Sequence, residues 1–161
     1  MKPLQRPNWD EYFMEIAEVT KKRTNCIRNA VGAVVVRDKT IIGTGYNGTP
    51  AGIKNCFEGG CDRCTRRENN KIGSGEEKDK CICIHAEQNA ILQSAYHGIP
   101  TKGASLYSTI APCVQCAKMI INAGITEVVA LDEHSDNFGE ELLKKAGITI
   151  RFIENPIKKE E

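Results

Sequence analysis

The alternation of hydrophobic and polar positions divides the chain into helical and extended segments. Residues 9–22 show the spacing of an amphipathic helix. Its expected buried side comprises Tyr12, Phe13, Ile16, Ala17 and Val19. Two β-rich runs follow at residues 31–36 and 40–46, and the short polar segment 37–39 between them predicts a hairpin turn.

The second half of the chain alternates strands with helices. Apolar runs predict strands at 104–109, 127–131 and 147–152, and helices at 86–95, 113–122 and 138–146. Strands joined by helices pair in parallel and need helical cover, whereas the opening hairpin is antiparallel. We therefore expect an α/β fold with a five-stranded mixed sheet.

Residues 51–80 interrupt this alternation with little periodicity. A segment of this length is unusual as a plain connector in a compact domain, and such loops are often functional. We find no internal repeat and no domain linker. We therefore expect a single domain over residues 1–161, with a Cys-rich inserted loop at about 51–81 and a charged, frayed tail at 155–161.

Composition narrows the classes of partner. The 161 residues include 22 basic and 21 acidic side chains, a formal net charge of +1, which favours a small substrate over nucleic acid. No apolar run is long enough to span a membrane, and residues 1–9 lack the apolar segment of a signal peptide. We expect a cytoplasmic protein, or a nucleocytoplasmic one in a compartmented cell. Eight cysteines in such a protein indicate metal binding or catalysis before disulfides.

Two short motifs supply a candidate catalytic metal site. One is His85-x-Glu87, and the other is Pro112-Cys113-x-x-Cys116. One His and two Cys give a tetrahedral Zn²⁺ three protein ligands and leave one position open for water. This combination is the signature of zinc nucleobase deaminases.

The residue types suit that chemistry. We expect His85 and Glu87 in the first turn of one helix, and Pro112 at the first position of another. A helix N-terminus favours the thiolate, which is the form of Cys that binds metal. Zinc lowers the pKa of a water molecule, and Glu87 could move its proton. The alternative is a closed structural zinc site, but the motif offers no fourth protein ligand.

Several motifs together resemble the deoxycytidylate (dCMP) deaminases of the cytidine/deoxycytidylate deaminase superfamily. The resemblance covers about residues 9–152. It rests on Trp9-x-Glu-Tyr-Phe-Met, Val31-Gly-Ala-Val-Val-Val, Gly43-Thr-Gly-Tyr-Asn-Gly-Thr-Pro, His85-Ala-Glu-x-Asn-Ala-Ile, Pro112-Cys-x-x-Cys-Ala-Lys and Ala123-Gly-Ile-x-Glu-Val. The family fold is a three-layer α/β/α sandwich with a five-stranded mixed sheet (cytidine deaminase-like).

The resemblance implies hydrolytic deamination of dCMP to dUMP, which supplies thymidylate synthesis. His85, Cys113 and Cys116 would be the zinc ligands, Glu87 the proton shuttle, and the Ala86 N–H the contact to the pyrimidine carbonyl. The implied substrate contacts outside the motif are Asn47 to the sugar, and Arg28 and His134 to the phosphate. Two of these residues have a non-functional alternative: Asn47 would serve only the geometry of its turn, and Arg28 would be a solvated surface residue. His134 stands where some relatives have a phosphate-contacting Tyr, so its correspondence to the family is weaker.

Six further cysteines suggest a second metal site. Cys61-x-x-Cys64 has zinc-knuckle spacing. Phage-type relatives carry a second, structural zinc whose ligands correspond to Cys26, Cys56 and Cys83, with a fourth from the loop. Here Cys61, Cys64 and Cys81 all compete for the remaining place, so spacing does not decide which four bind. Small buried thiols without metal are the alternative.

The resemblance also has implications for regulation and assembly. Many similar enzymes are homohexamers activated by dCTP with Mg²⁺ and inhibited by dTTP, and the effector contacts would involve Gly45, Tyr46 and Gly48.

Two other functions remain possible for this sequence. One is deamination of dCTP, another cytosine nucleotide, cytidine or tRNA adenosine, although the near-neutral charge argues against tRNA. The other is a non-catalytic zinc-binding module, which would have no need of Glu87.

Overall fold

The computed structural model describes residues 6–159, so parts of the expected N-terminal segment and charged tail, residues 1–5 and 160–161, lie outside it. The strands are β1 (Gly32–Arg37), β2 (Thr40–Tyr46), β3 (Ser105–Ile110), β4 (Glu127–Asp132) and β5 (Thr149–Phe152). The α-helices are α1 (Trp9–Lys21), α2 (Asp62–Glu68), α3 (Ala86–Tyr96), α4 (Val114–Asn122) and α5 (Phe138–Lys145). Within residues 6–159, no helix has both the length and the apolar character needed to cross a membrane.

The five strands form one mixed sheet in the order β2-β1-β3-β4-β5. β1 is antiparallel to both of its neighbours, whereas β3, β4 and β5 are parallel. The turn between β1 and β2 has positive φ at Asp38 and Lys39, as a two-residue hairpin turn requires. The prediction of an antiparallel hairpin joined to a parallel half is therefore confirmed.

Helix α1 covers one face of the sheet. Its buried residues are Phe13, Met14 and Ala17, which pack against β1 and β3. The expectation that Tyr12 and Val19 are buried is wrong, because these side chains are 43% and 59% exposed. At about 100° per residue, both lie on the opposite side of the helix from Phe13 and Ala17. Met14, which the prediction left out, is fully buried.

Helices α3, α4 and α5 cover the other face. Their buried side chains include Ala90, Ile120 and Leu143, which join Val35 and Leu106 of the sheet in a second core. With α1 on the opposite face, the architecture is a three-layer α/β/α sandwich. This is the expected cytidine deaminase-like fold.

The inserted loop contains more regular structure than the sequence predicted. It has two short 3₁₀ turns, Cys56–Glu58 and Lys78–Lys80, around the seven-residue helix α2. Helix α2 buries only Cys64, so it lacks the apolar stripe by which longer helices are recognised.

The strand directions bring several loops to one edge of the sheet. The carboxyl ends of β2, β3 and β4 lie at the edge where β1 begins, since β1 runs antiparallel to β2 and β3. In α/β sheets, sites commonly form in loops at the carboxyl ends of strands. The loops at this edge carry Arg28, Asn47, Cys113 and His134.

Candidate active site and metal centres

His85, Cys113 and Cys116 form a compact three-donor site. The Nδ1 atom of His85 lies 3.4 Å from the Cys113 sulfur and 3.3 Å from the Cys116 sulfur. Bonds of about 2.0–2.1 Å from zinc to nitrogen and 2.3 Å to sulfur place such atoms about 3.5 Å apart in a tetrahedron. The donor set and its spacing therefore fit Zn²⁺, with three protein ligands.

Both motifs of this site lie at helix N-termini. His85 is the N-cap of α3, and Cys113 is the N-cap of α4. The carbonyl of Cys113 accepts the N–H of Ala117 at 2.8 Å and so begins the helical hydrogen bonding. The expected placement of Pro112 at the first helical position is therefore wrong by two residues. Pro112 precedes the N-cap, and Cys116 is the third residue of the helix.

Glu87 lies buried beside the metal-binding donors. It is the second residue of α3 and is only 3% exposed. The Cys116 sulfur donates a hydrogen bond of 3.6 Å to Glu87 Oε2. Burial raises the pKa of the Glu87 carboxyl above its usual range. A raised pKa makes a carboxylate a stronger base, so that it takes up a proton more readily before passing it on, which is what a proton shuttle requires.

The donors also shift each other's protonation. The neighbouring side chains of Cys116 and His85 lower the pKa of the Cys113 thiol to about 3. The Cys113 thiolate in turn raises the pKa of His85 to about 8. The shift at Cys113 favours its thiolate, which is the form that a metal ion needs.

A close contact with α5 supports the second motif. Gly139, in the first turn of α5, lies so near the backbone of Pro112 and Cys113 that a Cβ atom would overlap the Pro112 carbonyl oxygen. The sequence analysis did not identify Gly139. The one sequence signal for Gly139 is that a glycine directly follows Phe138 in a segment predicted to be helical, and this is weak evidence for a close backbone contact.

Asn47 holds the backbone of a neighbouring segment. Its Oδ1 accepts the Thr24 hydroxyl at 2.6 Å and the Val31 N–H at 2.9 Å, and its Nδ2 donates to the Asn29 carbonyl at 2.7 Å. The side chain is 7% exposed. Both acceptor positions and one donor position of the amide are used internally, so one N–H remains for any other contact.

The two expected phosphate contacts lie at the same sheet edge but have partners of their own. Arg28 pairs with Glu68 of α2, with Nη1 2.6 Å from Oε2. His134 follows β4, and its Nδ1 lies 3.3 Å from Asp136 Oδ2. A bound phosphate would have to displace or share these acidic partners.

The expected effector residues line a separate cavity on the outer side of α3. This cavity of about 780 Å³ is bordered by Gly45, Tyr46 and Gly48 together with Asn89 and Tyr96. Its lining residues, among residues 6–159, include neither Glu87 nor the three donors. Gly45 also has a packing role, since a Cβ atom there would overlap the Ala86 carbonyl oxygen.

The remaining cysteines gather into one group that we call the six-cysteine cluster. Its members are Cys26, Cys56, Cys61, Cys64, Cys81 and Cys83. None of them forms a disulfide, and Cys56, Cys61 and Cys64 are buried. The neighbouring Cys83 side chain lowers the pKa of both Cys26 and Cys81 to about 5. Sets of four of these sulfurs are spaced to hold a metal ion.

Comparisons with known proteins agree with this geometry. The family profile described as "Cytidine and deoxycytidylate deaminase zinc-binding region" matches residues 7–132. Deoxycytidylate deaminase of Saccharomyces cerevisiae is 42% identical over 160 residues, covering 97% of this chain and 49% of that protein. ComE operon protein 2 of Bacillus subtilis is 39% identical, covering 94% of this chain and 74% of that protein.

A solved structure is similar as well. The dCMP deaminase from cyanophage S-TIM5, in complex with dCMP and dUMP, has a TM-score of 0.74 and 31% identity, covering 92% of this chain and 99% of that one. This chain spans about half the length of the curated yeast relatives that it matches. Because the family profile covers most of the chain and includes every residue of the three-donor site, the chain belongs to the cytidine and deoxycytidylate deaminase family.

Proposed function

We propose that this protein is a zinc-dependent dCMP deaminase that hydrolyses dCMP to dUMP and ammonia. We treat residues 1–161 as a single deaminase domain, with 51–81 as an insertion. The observation that carries the proposal is the buried Glu87 carboxylate beside the three-donor site, 3.6 Å from the Cys116 sulfur. The resemblance to a dCMP deaminase solved with dCMP and dUMP supports the choice of substrate.

The chain's own residues would divide the work of the reaction. His85, Cys113 and Cys116 would hold the zinc ion, which when bound would supply Lewis-acid chemistry and lower the pKa of water. Glu87 would accept the two protons of the attacking water one after the other, delivering one to the ring nitrogen and one to the departing amine. The oxygen of water joins C4 as the bond to the amino group breaks, so that one water is consumed and one ammonia released.

The helix N-terminus would orient the base. The first N–H groups of a helix have no partner inside the helix. Ala86 is the first residue of α3, so its N–H is suited to the pyrimidine carbonyl. The free N–H of the Asn47 amide would contact the sugar. Arg28 would leave Glu68 and contact the phosphate, because a guanidinium matches phosphate oxygens in a bidentate manner. His134 would contact the same phosphate.

We further propose a structural metal site and a regulatory site. Four sulfurs of the six-cysteine cluster would hold at least one structural zinc ion, which would order the inserted loop. Free thiols of this kind fit a reducing compartment such as the cytoplasm. The cavity at Gly45, Tyr46 and Gly48 would take dCTP with Mg²⁺ or dTTP as effectors, in a homohexamer.

Ammonia release from dCMP, dCTP, cytidine and deoxycytidine tests the activity. Each substrate is assayed with and without dCTP or dTTP plus Mg²⁺, with a Glu87→Gln variant as the control for enzyme-catalysed release. Turnover of dCMP that is suppressed by dTTP is the expected result. Preference for dCTP would reassign the substrate, and no turnover by a zinc-loaded protein would indicate a non-catalytic zinc-binding module.

A further inference from the structure

The six-cysteine cluster contains more sulfurs than one zinc ion can bind. Structural zinc takes four ligands in a tetrahedron. The cluster resolves into two groups of four, in each of which all sulfurs lie within 4.8 Å of one another. The first tetrad comprises Cys26, Cys56, Cys64 and Cys83, and the second tetrad comprises Cys61, Cys64, Cys81 and Cys83. The two tetrads therefore share Cys64 and Cys83.

The sulfur spacing is that of metal ligands. The Cys81 sulfur lies 3.8 Å from that of Cys64 and 4.0 Å from that of Cys61. A tetrahedron with Zn–S bonds of about 2.3 Å has edges of about 3.8 Å. A disulfide would bring two sulfurs to about 2.05 Å, so this spacing is not that of an oxidised pair.

Filling only one tetrad would leave two sulfurs of the cluster without a metal. A zinc ion in the first tetrad leaves Cys61 and Cys81, although Cys61 is fully buried and Cys81 is within reach of the bound Cys64. A zinc ion in the second tetrad leaves Cys26 and the buried Cys56. Both pairs complete a four-sulfur group in the same way, so the geometry gives neither tetrad precedence.

We propose that the six-cysteine cluster binds two zinc ions, with the thiolates of Cys64 and Cys83 bridging both. Cys26 and Cys56 complete the shell of the first ion, and Cys61 and Cys81 complete that of the second. A thiolate sulfur has lone pairs enough to bind two metal ions. Six sulfurs with two shared provide four ligands to each ion, so both sites are closed.

The proton and charge balance is consistent with a second ion. One zinc ion with four thiolates and two neutral thiols has a net charge of about −2, and so have two zinc ions with six thiolates. Entry of the second Zn²⁺ displaces two thiol protons, since metal ligands must be deprotonated. The second ion therefore adds no charge to the buried cluster.

Two bridged metal ions would join three separate parts of the chain. These are the segment after α1, the inserted loop, and the extended segment that leads from Cys81 into His85. That last segment is also paired with the loop after β2 through Gly48 and Ile84. The cluster would thus fix the approach to the three-donor site without contributing to the reaction.

The metal content of the full chain tests the proposal. Native mass spectrometry and elemental analysis of zinc-loaded, dialysed protein should find three zinc ions per chain. A His85→Ala/Cys113→Ser variant should retain two, which assigns those two to the cluster. One ion or none in that variant would overturn the proposal.

Paired substitutions distinguish two bridged ions from one ion in a fixed tetrad. Cys26→Ser/Cys56→Ser and Cys61→Ser/Cys81→Ser should each lose one ion and keep one. If the cluster held a single ion, at least one of the two pairs would leave its metal content unchanged, and that result would overturn the proposal.

Cadmium replacement provides a measurement that needs no variant. The ¹¹³Cd NMR spectrum of the cadmium-loaded wild-type protein should contain two cluster resonances with mutual scalar coupling, which passes through the shared sulfurs. A single cluster resonance, or two without coupling, would refute bridging. Deaminase activity is assayed separately, because loss of the three-donor site would abolish turnover and leave the cluster signals unchanged.

Discussion

The three-donor site and the six-cysteine cluster are neighbours along the chain, but they differ in donor type and in surroundings. Cys83 belongs to the cluster, and His85, only two residues later, belongs to the three-donor site. The three-donor site has an exposed histidine and a buried carboxylate beside it. In the cluster, the described donors are all sulfurs, and half of the cysteines are buried.

The difference shows how the surroundings of a metal ion decide its use. Three ligands leave a position for a reactant, and a carboxyl with a raised pKa beside them can move protons. In the proposed two-ion cluster, four sulfurs around each ion would leave no such position and would only hold segments together. Each prediction below perturbs one of these two regions, or a region outside both.

The largest expected effect is on turnover. Glu87→Gln should lower the deamination rate by about 10²- to 10⁴-fold, because the amide cannot carry protons. Zinc content should be unchanged, since Glu87 is not among the donors. Glu140→Gln is the matched control, because Glu140 lies in the first turn of α5 and pairs with the exposed Lys144. A Glu87→Gln enzyme as fast as the control would contradict the role of Glu87.

Chelation should separate the two regions by stability. The three-donor site should lose zinc at lower chelator concentration, because His85 is exposed and the site is open. Turnover should then disappear while the unfolding temperature is largely retained. Stripping the cluster should lower that temperature by about 10 °C, since structural zinc contributes several kcal/mol.

Activity and calorimetry measured along one chelator titration check this order. The Cys113→Ser variant should show only the later, stability-linked step. A single step in which activity and stability vanish together would mean that the two regions do not differ in this way.

A smaller effect is expected where β2 meets α3. Gly45→Ala adds a Cβ atom that overlaps the backbone of Ala86 and Ala90, which should cost about 1–3 kcal/mol of unfolding free energy. Turnover should fall as well, because the start of α3 positions His85 and Glu87, whereas the cluster should keep its metal. Gly73→Ala is the control, since the nearest atoms there belong to the flexible side chain of Glu76.

Denaturant unfolding and metal analysis of both glycine variants measure these effects. A Gly45→Ala protein with wild-type stability would show that α3 can shift without cost. Loss of cluster metal in that variant would show that the two regions are less independent than their geometry indicates.

The smallest effect concerns a network distant from both metal centres. Hydrogen bonds from the Arg151 guanidinium hold the pKa of Asp10 below its usual range, and the Tyr107 hydroxyl contributes. This stabilisation is present above the unfolded-state pKa of about 3.9 and is lost as pH falls through the lower folded-state pKa. Asp10→Asn should therefore lose about 0.5–1 kcal/mol near pH 7, and less in strong acid.

Unfolding free energies measured from neutral to strongly acidic pH test this dependence. Asp38→Asn in the hairpin turn is the control, because Asn is equally suited to positive φ. A deficit for Asp10→Asn that stays constant with pH would indicate lost packing rather than lost charge.

The regular elements could be predicted because their burial is periodic. The strands at 40–46 and 127–131 and the helix from residue 86 follow directly from apolar spacing. Helix α2 could not be predicted, since it buries a single cysteine and packs within the inserted loop. Tyr12 and Val19 were placed on the wrong side because apolar character alone does not show which arc of a helix meets the sheet.

The sequence by itself determined the donor types and their local spacing. Cys113-x-x-Cys116 places two sulfur donors within one turn of a helix start, and His85-x-Glu87 places a nitrogen donor and a carboxyl at the start of another helix. The sequence could not show that both acceptor positions of Asn47 are used or that Arg28 is paired with Glu68, since those partners are distant along the chain. Only the tertiary structure decided how the six cysteines divide, because sulfurs up to 57 positions apart converge through folding of the inserted loop.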